Sequence, residues 1–505
     1  MLRVILSSSL RIITKIKPPG KMRGADAFRR IDSLQSLALQ WIHSRPALGR
    51  VTLMRRSSRS LSPQSSPRSG SIYRVALTGA ISGLLFGFDT AVINGALISL
   101  RAHFRLSEVQ VEFAASSLLY GCFFGAMAAG MLSDRYGRRS VLRISGVLFL
   151  VSAIFAAIPH TLAEFFTARF LGGLGIGLAS TIAPLYLAEV SPREKRGSIV
   201  TLNQTAIVTG ILVAYCTNWA FSFTGAAAWR WMFGSAALPA LAFVICLGFV
   251  PESPRWLIKQ HRIEEAGAAL ATIGGEAQRS EQFEEIRAAI EQEEPPHGWL
   301  RRMKRPLVLA VAIAALQQVT GINTVLYYGS LLFVAHANSG SAGRAFAANI
   351  LIGLTNFAFT LVALAIMDRI GRRILLGGSA SVMFGALLLL VFEFQRTHAH
   401  FVLIVGSTML YVAAFATGLG PGAWVYIAEI FPTNIRGRAM SIATSVLWAC
   451  CILVSNTFLT LIHALGAAGA FAVYAGICAV AAVFFFRLPE TRGHSLEEIE
   501  QSWRR

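Results

Sequence analysis

Two short stretches of this 505-residue sequence, DRYGRRS at residues 134–140 and DRIGRRI at residues 368–374, are near copies of each other. Two further pairs of motifs share almost the same spacing: LAEVSPREKRG and IAEIFPTNIRG around Glu189 and Glu429, and PESPR and PETRG around Glu252 and Glu490. Similarity at one fixed offset is the signature of repeated structural units. The sequence therefore predicts two similar halves that follow each other along the chain.

The composition places these halves in a membrane. Hydrophobic residues make up 54% of the chain and charged residues 14%, whereas soluble domains contain about 25% charged residues. Apolar runs of about 18 residues or more, the length that crosses a bilayer, recur along most of the sequence. They predict twelve membrane spans, which begin near Tyr73, Val111, Val141, Ala163, Ile199, Met232, Leu307, Ala347, Ile374, Phe401, Ala439 and Ala470.

The predicted fold class is an all-α membrane protein, with twelve transmembrane helices in two pseudo-symmetric six-helix halves and a cytoplasmic helical linker. The expected boundaries are residues 73–250 and 307–487 for the halves, 251–306 for the linker and 488–505 for a cytoplasmic C-terminal tail. Residues 1–72 are expected to form a disordered basic N-terminal extension, because their Ser-, Arg- and Pro-rich sequence offers little apolar surface to bury. The same composition overlaps with an organelle transit peptide, and translation from Met54 is a third interpretation.

Basic residues in the short loops predict which side of the membrane these loops face. Twelve Lys and Arg residues follow spans 2, 4, 8 and 10, against five in the opposite loops. Because cytoplasmic loops carry an excess of basic residues, we expect the first set of loops, the linker and both termini to be cytoplasmic, in a plasma or inner membrane. The formal net charge of +20 then reflects a solvated tail and these loops, so no nucleic-acid partner is expected.

Few ionisable residues lie inside the predicted spans, and such residues are functional by default because charge is costly in a bilayer. Asp89 in span 1 and Arg169 in span 4 lie at similar predicted depths. Arg169 is therefore the expected partner of the Asp89 carboxylate. Protonation of Asp89 would remove that partner, which makes the pair a candidate for proton coupling; a purely structural ion pair is the alternative.

Charged residues of the repeated loop motifs form a second candidate set: Asp134, Arg138, Glu189, Arg196, Asp368, Arg372, Glu429 and Arg436. The acids of this set can pair with the arginines nearby, Glu189 with Arg196 and Glu429 with Arg436. Breaking a partly buried ion pair is costly, so we hypothesise that these cytoplasmic pairs hold the halves together while the substrate site faces outward. The alternative is that they only set topology and solubility.

The remaining polar residues of the spans are mostly amides, tyrosines and tryptophans. This mixture suits a sugar, because amides donate to and accept from hydroxyls while an indole covers the apolar ring face. The sequence contains no phosphate loop, no HExxH motif and no nucleophile elbow, so no enzyme activity is predicted. The six cysteines lack metal-ligand spacing, so we expect them to be small core residues and predict no metal site.

The sequence resembles the sugar porter family of the major facilitator superfamily over about residues 75–494. The resemblance rests on GFDTAVINGA, DRYGRR, RFLGGLGIG, PLYLAEVSPREKRG, PESPRWL, QQVTGINTVLYY, DRIGRR, GPGAWVYIAEIFPTNIRG and PETRG. It implies a sugar site between the halves near the bilayer midplane. Positions similar to the sugar-binding positions of the family are Gln204, Gln317, Gln318, Asn323 and Trp424, with Phe86, Asn356 and Trp448 as further pocket positions. Well-known relatives have an amide before the last tryptophan, where this chain has Leu447, so substrate identity does not carry over.

The resemblance also bears on coupling. Relatives with Asp at the position of Asp89 tend to be proton symporters, whereas facilitators often have a neutral residue there. It therefore implies a secondary transporter for a monosaccharide, a hexose or pentose, that works as a monomer in the lipid bilayer with the proton as coupling ion and no other cofactor. The alternatives are a facilitative uniporter, an inositol-type polyol transporter and a non-transporting sugar sensor.

Glycines in two spans carry specific structural expectations. In an unbroken helix Gln318 and Asn323 would lie about 140° apart, so Gly321 between them is expected to break span 7 and let both face one cavity. Gly173 and Gly177 continue the helix face of Arg169, which predicts close packing of span 4 against a neighbouring helix.

Overall fold

The structure, a computed structural model, describes residues 69–191, 196–274, 283–284, 286–288, 290, 303–336, 342–431 and 433–492. These residues belong to one compact unit that begins at Ser65. Every regular element within the described ranges is a helix, in agreement with the predicted all-α class. The predictions for the N-terminal extension, for the second half of the linker and for the end of the C-terminal tail fall largely outside these ranges.

Eleven helical segments in the described part of the chain are long and apolar enough to cross a membrane. One of them, Gly437–Phe486, has 50 residues and contains Gly466, whose φ of 72° and ψ of 167° are not helical. This segment therefore supplies two spans, and the total is the predicted twelve. Each span begins within a few residues of its expected position.

The spans are numbered 1 to 12 in chain order. Their helices are Ser69–Ala91 and Ile93–Phe104 (span 1), Glu108–Tyr136 (span 2), Arg138–Ala157 (span 3), Leu162–Val190 (span 4), Arg196–Phe221 (span 5), Ala228–Gly234 and Ala237–Cys246 (span 6), Lys304–Val319 and Ile322–His336 (span 7), Ala342–Ile370 (span 8), Arg372–Gln395 (span 9), Phe401–Ala414, the π-helical Phe415–Leu419 and Gly420–Glu429 (span 10), and Thr433–Phe486 (spans 11 and 12). A 3₁₀ turn covers Ser222–Thr224, and the linker contains Pro254–Lys259 and Ile263–Gly274.

The loops define two ends of the helical bundle. The basic end is the one where span 2 turns into span 3 at Gly137 and span 8 turns into span 9 at Gly371. Both glycines have a left-handed φ, 92° and 97°, so the sequence repeat is also a repeat of backbone geometry. The far end is the opposite one, where span 1 turns into span 2 between Phe104 and Glu108.

Helix packing follows the same pattern in each half. Span 5 packs along span 1 and span 4 along spans 2 and 3, while in the second half Thr433–Phe486 packs along spans 7 and 9, and span 10 packs along spans 8 and 9. The halves meet where span 2 contacts Thr433–Phe486, where span 5 contacts span 8, and where the second helices of spans 1 and 7 contact each other. A cleft between these halves is where a site shared by both would form.

Span 4 approaches span 2 very closely at the two glycines singled out from the sequence. A Cβ atom on Gly173 would lie 1.9 Å from the Leu118 carbonyl oxygen, and one on Gly177 would lie 2.3 Å from the Cys122 carbonyl oxygen. Only glycine allows backbones to approach this far in a membrane bundle. The predicted close packing is confirmed, and it begins one helical turn after Arg169.

Candidate functional site

An ion pair lies in the interior of the first half. Arg169 Nη1 donates to the Asp89 carboxylate, and Arg169 Nη2 donates to the Asp89 carbonyl oxygen at 2.9 Å. Arg169 is 0% exposed and Asp89 is 6% exposed. The guanidinium carbon also lies 5.0 Å from the ring centroid of Phe233. The structure thus brings together the two residues that the sequence pairs, out of contact with bulk water.

The helical hydrogen bonding of span 1 is locally irregular beside this pair. The first helix of span 1 ends at Ala91 and the second begins at Ile93, although Val92 between them keeps helical dihedral angles. Side chains bond the main-chain oxygens here: Arg169 donates to the oxygen of Asp89, and Asn218 Nδ2 donates to that of Val92 at 3.1 Å. The Val92 oxygen also accepts from the Ala96 N–H, at 3.3 Å, so the Asn218 amide adds a second bond to it. Arg169 therefore supports the backbone of span 1 as well as the charge of Asp89.

A group of hydrogen-bonded amides, the amide row (Gln317, Gln318 and Asn323), lies at the break in span 7. Gly321 has a φ of 93° and separates the two helices of this span. Asn323 Nδ2 donates to Gln318 Oε1 at 2.7 Å, and Gln318 Nε2 donates to Gln317 Oε1 at 3.2 Å. The break at Gly321 thus brings Gln318 and Asn323 together, as the sequence predicts.

Gln317 is engaged with span 10. Its Nε2 donates to the carbonyl oxygens of Leu419 at 3.0 Å and Gly420 at 2.8 Å. These carbonyls lie where the π-helical Phe415–Leu419 returns to α-helix, and π-helical turns shift carbonyls from their usual partners. In this state Gln317 supports the irregular turn of span 10, a role that the sequence does not reveal for a residue expected to bind sugar.

Cys451 of span 11 completes the amide row. Its thiol donates to Gln318 Oε1 at 3.2 Å, and Asn323 Nδ2 lies 3.2 Å from its sulfur. The residue is buried, as expected for a small core residue, but its polar contacts were not predicted from the sequence. The available signal was its position three residues after Trp448, because residues three apart share one helix face.

Phe86 and Trp448 face each other across the two halves. Their ring centroids are 5.9 Å apart and their planes are inclined by 48°. The Trp448 indole N–H is buried and has no hydrogen-bond partner among the residues that the structure describes. Buried indole N–H groups usually have a partner, so this donor is a good candidate for a contact with a bound ligand.

The other predicted pocket residues are not joined to the amide row by any hydrogen bond within the described ranges. Asn356 in span 8 is buried, and Gln204 in span 5 and Trp424 in span 10 are half-buried. The hydrogen bonds described for the chain include none from these three side chains. Their polar groups are therefore uncommitted, in contrast to those of Gln317, Gln318 and Asn323.

The charged pair and the amide row belong to different halves but share neighbours. Cys122 of span 2 is buried, and its surroundings include Asp89 and Arg169 of the first half and Cys451 of the second. Tyr327 of span 7 is buried with Arg169 and Cys451 in its surroundings. The ion pair and the amide row therefore lie on either side of the same buried residues.

Polar side chains join the two halves at the far end. Asn94 Nδ2 donates to the Leu326 carbonyl oxygen at 2.8 Å, and Asn94 Oδ1 accepts from the Ser330 backbone N–H at 2.9 Å. The Tyr215 hydroxyl donates to the same Leu326 oxygen at 3.1 Å. A second group of polar contacts at this end links span 2 to span 11. All hydrogen bonds described between the halves belong to these two groups, so the described state is closed at the far end.

At the basic end, Arg138 organises the polar contacts of the first half. Arg138 Nε lies 3.0 Å from Glu189 Oε2, and Arg138 Nη1 lies 3.2 Å from Asp134 Oδ1. The backbone N–H groups of Arg138 and Arg139 donate to the Glu252 carboxylate at 3.0 and 3.1 Å. A carboxylate at the first turn of span 3 satisfies N–H groups that have no partner within the helix.

The second half repeats this network. Arg372 Nη2 lies 2.9 Å from Glu429 Oε1, and the backbone N–H groups of Arg372 and Arg373 donate to Glu490 at 3.0 and 3.1 Å. The Thr491 hydroxyl donates to Glu429 at 2.6 Å. In the first half the corresponding Ser253 hydroxyl donates to Glu189 at 2.5 Å.

The hypothesis of a latch requires charged residues at the basic end to hold the two halves together. In the described state Glu189 pairs with Arg138 and Glu429 pairs with Arg372, so each ion pair lies inside one half. Three members of the predicted set have side chains outside the described residues: Arg196, Asp368 and Arg436. A latch between the halves in an outward-facing state stays a prediction.

The chain matches the family model described as "Sugar (and other) transporter" over residues 75–503. It is 35% identical to the glucose transport protein of Synechocystis sp. over 471 residues, which are 87% of this chain and 100% of the relative. It is also 35% identical to the D-xylose-proton symporter of Escherichia coli, over 86% of this chain and 96% of the relative. The partially occluded, inward-open structure of the E. coli xylose transporter XylE superimposes with a TM-score of 0.75 at 34% identity, covering 84% of this chain and 100% of that one.

Proposed function

Because this chain belongs to the sugar transporter family, we propose that it carries a monosaccharide, a hexose or a pentose, across the membrane by alternating access and together with a proton. The predicted family resemblance is confirmed by a match that covers both halves. Members of such a family move their substrates across a membrane and do not convert them, so the chain is not an enzyme. The proposal includes no cofactor other than the coupling proton.

The observation that carries the proton coupling is the buried Asp89–Arg169 pair. When Asp89 binds a proton, Arg169 keeps its bond to the Asp89 backbone oxygen but loses its counter-charge. An uncompensated buried charge costs several kcal/mol, so protonation favours a rearrangement that rehydrates or re-pairs the guanidinium. Because Arg169 also binds the backbone of span 1 at Asp89, this rearrangement would act directly on a helix at the boundary between the halves.

The amide row supports the sugar site. Its three amides offer several donors and acceptors at a break in span 7, and Phe86 and Trp448 supply an apolar face from both halves. Sugars combine hydroxyls with apolar ring faces, so this is the lining that they require. We assign the uncommitted polar groups of Gln204, Asn356 and Trp424 to the same site, as further contacts that form when the substrate enters.

We place the basic end in the cytoplasm, because the loops after spans 2, 4, 8 and 10 carry most of the basic loop residues. Both termini and the linker are then cytoplasmic, and the protein works as a monomer in the lipid of a plasma or inner membrane. The far end faces outside and is closed in the described state. The site would accordingly exchange sugar with the cytoplasm in this state.

Purified protein in proteoliposomes tests the proposal. Radiolabelled glucose and xylose should accumulate above the external concentration when a proton gradient is imposed, and only equilibrate without one. The Asp89→Asn variant should bind and exchange sugar but no longer accumulate it. Accumulation by Asp89→Asn, or sugar uptake by the unmodified protein without proton movement, would establish a uniporter in place of the proposed symporter.

The substrate class is settled in the same vesicles by competition. Unlabelled hexoses, pentoses and inositol, each added in excess, should separate a monosaccharide carrier from a polyol carrier. Displacement of bound label without any uptake would identify a sugar sensor and overturn the transport proposal.

A further inference from the structure

The second group of contacts at the far end centres on a buried acid. Glu112 lies in the second turn of span 2 and is 2% exposed. Its Oε1 accepts from the Thr460 backbone N–H at 2.8 Å, and its Oε2 accepts from the Thr460 hydroxyl at 2.7 Å. Glu112 belongs to the first half and Thr460 to the second, so this carboxylate binds both donors of one residue across the boundary between the halves.

The surroundings of Glu112 compensate its charge without a cation. Within the described residues no ion pair includes Glu112, whose neighbours on spans 7 and 12 are the phenols of Tyr328 and Tyr474. The two bonds from Thr460 supply the stabilisation of the carboxylate, and they exist only while the halves are in contact at this end.

Two further residues of span 2 extend the contact along one helix face. Ser116 donates to Asn456 Oδ1 at 2.5 Å, and Asn456 Nδ2 donates to the Tyr120 hydroxyl at 2.6 Å. Glu112, Ser116 and Tyr120 are spaced by four residues and therefore line one face of the helix. Of these three residues Glu112 alone is charged, and hydrogen bonds to charged groups are stronger than neutral ones.

We propose that Glu112 is a gating residue, which sets the balance between the states closed and open at the far end by binding Thr460 only in the closed state. This inference rests on the proposed alternating access. When the far end opens, water replaces Thr460 at the carboxylate, and the Thr460 N–H keeps its bond within span 11. Removing the carboxylate therefore weakens the closed state and leaves the open state little changed.

The test measures how easily the site is reached from outside. Cys451, in the amide row, serves as the reporter in a protein whose other five cysteines are replaced by serine. A membrane-impermeant maleimide added to the far-end side of oriented vesicles should label Cys451 slowly, because this end is closed. Glu112→Ala should raise the labelling rate about tenfold or more, the size expected for two lost bonds to a charged group.

Two variants separate gating from general damage. In Glu112→Gln the amide can accept from the Thr460 N–H and donate to its hydroxyl oxygen, so the labelling rate should stay within about threefold of the parent. Glu108→Ala removes an acid one turn earlier, whose side chain is 48% exposed and whose contact across the boundary, to the exposed His463, is 3.9 Å long; it should raise the rate much less than Glu112→Ala does. Thr460→Val keeps the backbone donor and removes the hydroxyl, so its rate should fall between those of the parent and Glu112→Ala.

The outcomes are distinct from those of the transport assay, since labelling needs no sugar and no proton gradient. Equal labelling in the parent, Glu112→Ala and Thr460→Val proteins, each monodisperse by size-exclusion chromatography, would show that Glu112 only joins two helices and would overturn the proposal. Faster labelling of Glu108→Ala than of Glu112→Ala would overturn it as well. A chain that labels as predicted but moves no sugar would refute the transport proposal and leave the gate in place.

Discussion

The two halves of the molecule match at the basic end and differ in the middle. At the basic end each half has an arginine bound to a loop glutamate, a second glutamate that caps the following span, and a hydroxyl that binds the loop glutamate. In the middle the first half carries the Asp89–Arg169 pair, whereas the second half carries the amide row. Duplication thus preserved the scaffold twice, while the charge and the amides were each placed in one half.

The largest effect is expected from variants that change the amide row and the Asp89–Arg169 pair one at a time. Gln318→Ala removes the middle of the amide row and should weaken sugar binding at least about tenfold, since it deletes contacts to polar groups that are then left unpaired. Asp89→Asn should leave sugar affinity nearly unchanged and abolish accumulation. Equilibrium binding of labelled sugar and gradient-driven uptake, measured on both variants, check this division of roles. Loss of the same property in both variants would mean that the two halves do not divide the work.

The next largest effect compares how much the two networks at the basic end contribute to stability. Arg138→Ala leaves Glu189 buried without its cation, which should lower the free energy of unfolding by about 3–5 kcal/mol. The matched Arg372→Ala should cost less, because Glu429 has a side chain 25% exposed against 7% for Glu189. Thermal unfolding of both variants in the same detergent measures the difference. A greater loss for Arg372→Ala would show that burial does not rank the two networks.

A third prediction concerns the break in span 7. A Cβ on Gly321 would lie 2.6 Å from the ring of Tyr474 in a left-handed backbone conformation, so Gly321→Ala should cost about 1–3 kcal/mol of stability and disturb the amide row. Gly466 also has a positive φ, but a Cβ added there would meet no heavy atom within 4 Å. Gly466→Ala is therefore the control for backbone strain alone. Gly321→Ala should therefore lower the melting temperature and the sugar affinity more than Gly466→Ala does.

The smallest expected effect is at Cys451. The thiol is a weak hydrogen-bond donor, so Cys451→Ser should change sugar affinity by no more than about threefold, and Cys451→Ala by somewhat more. A competition panel on both variants should also show altered preference among sugars, because the thiol positions the amides of Gln318 and Asn323. Unaltered affinity and preference in Cys451→Ala would show that this residue contributes only to packing.

Much of the architecture was predictable because it follows from local signals. The twelve spans come from the length of apolar runs, the two halves from repeated loop motifs, and the close packing of span 4 from glycines at helical spacing. The position of Arg169 opposite Asp89 followed from similar depth in the bilayer. Each of these inferences needs only the geometry of a helix and the thickness of a membrane.

The missed features depend on where helices are interrupted and which helix lies opposite. Gln317 binds span 10 because a π-helical turn displaces carbonyls there, and nothing in the sequence around Gln317 indicates that turn. Glu112 lies next to the predicted start of span 2, and nothing in the sequence indicates that a helix of the other half covers it. Glu189 binds Arg138, which is distant in sequence and near in space; its pairing with Arg196 stays a prediction, because the Arg196 side chain lies outside the described residues.

The amide row has a consequence for the speed of the carrier. Gln317, Gln318, Asn323 and Cys451 satisfy one another through their own hydrogen bonds. An arriving sugar would therefore exchange hydrogen bonds with these four residues and add few of them there, so this part of the lining contributes only a modest net gain to binding. Groups that already bind each other do not hold their cargo tightly, which lets the cargo leave as readily as it enters.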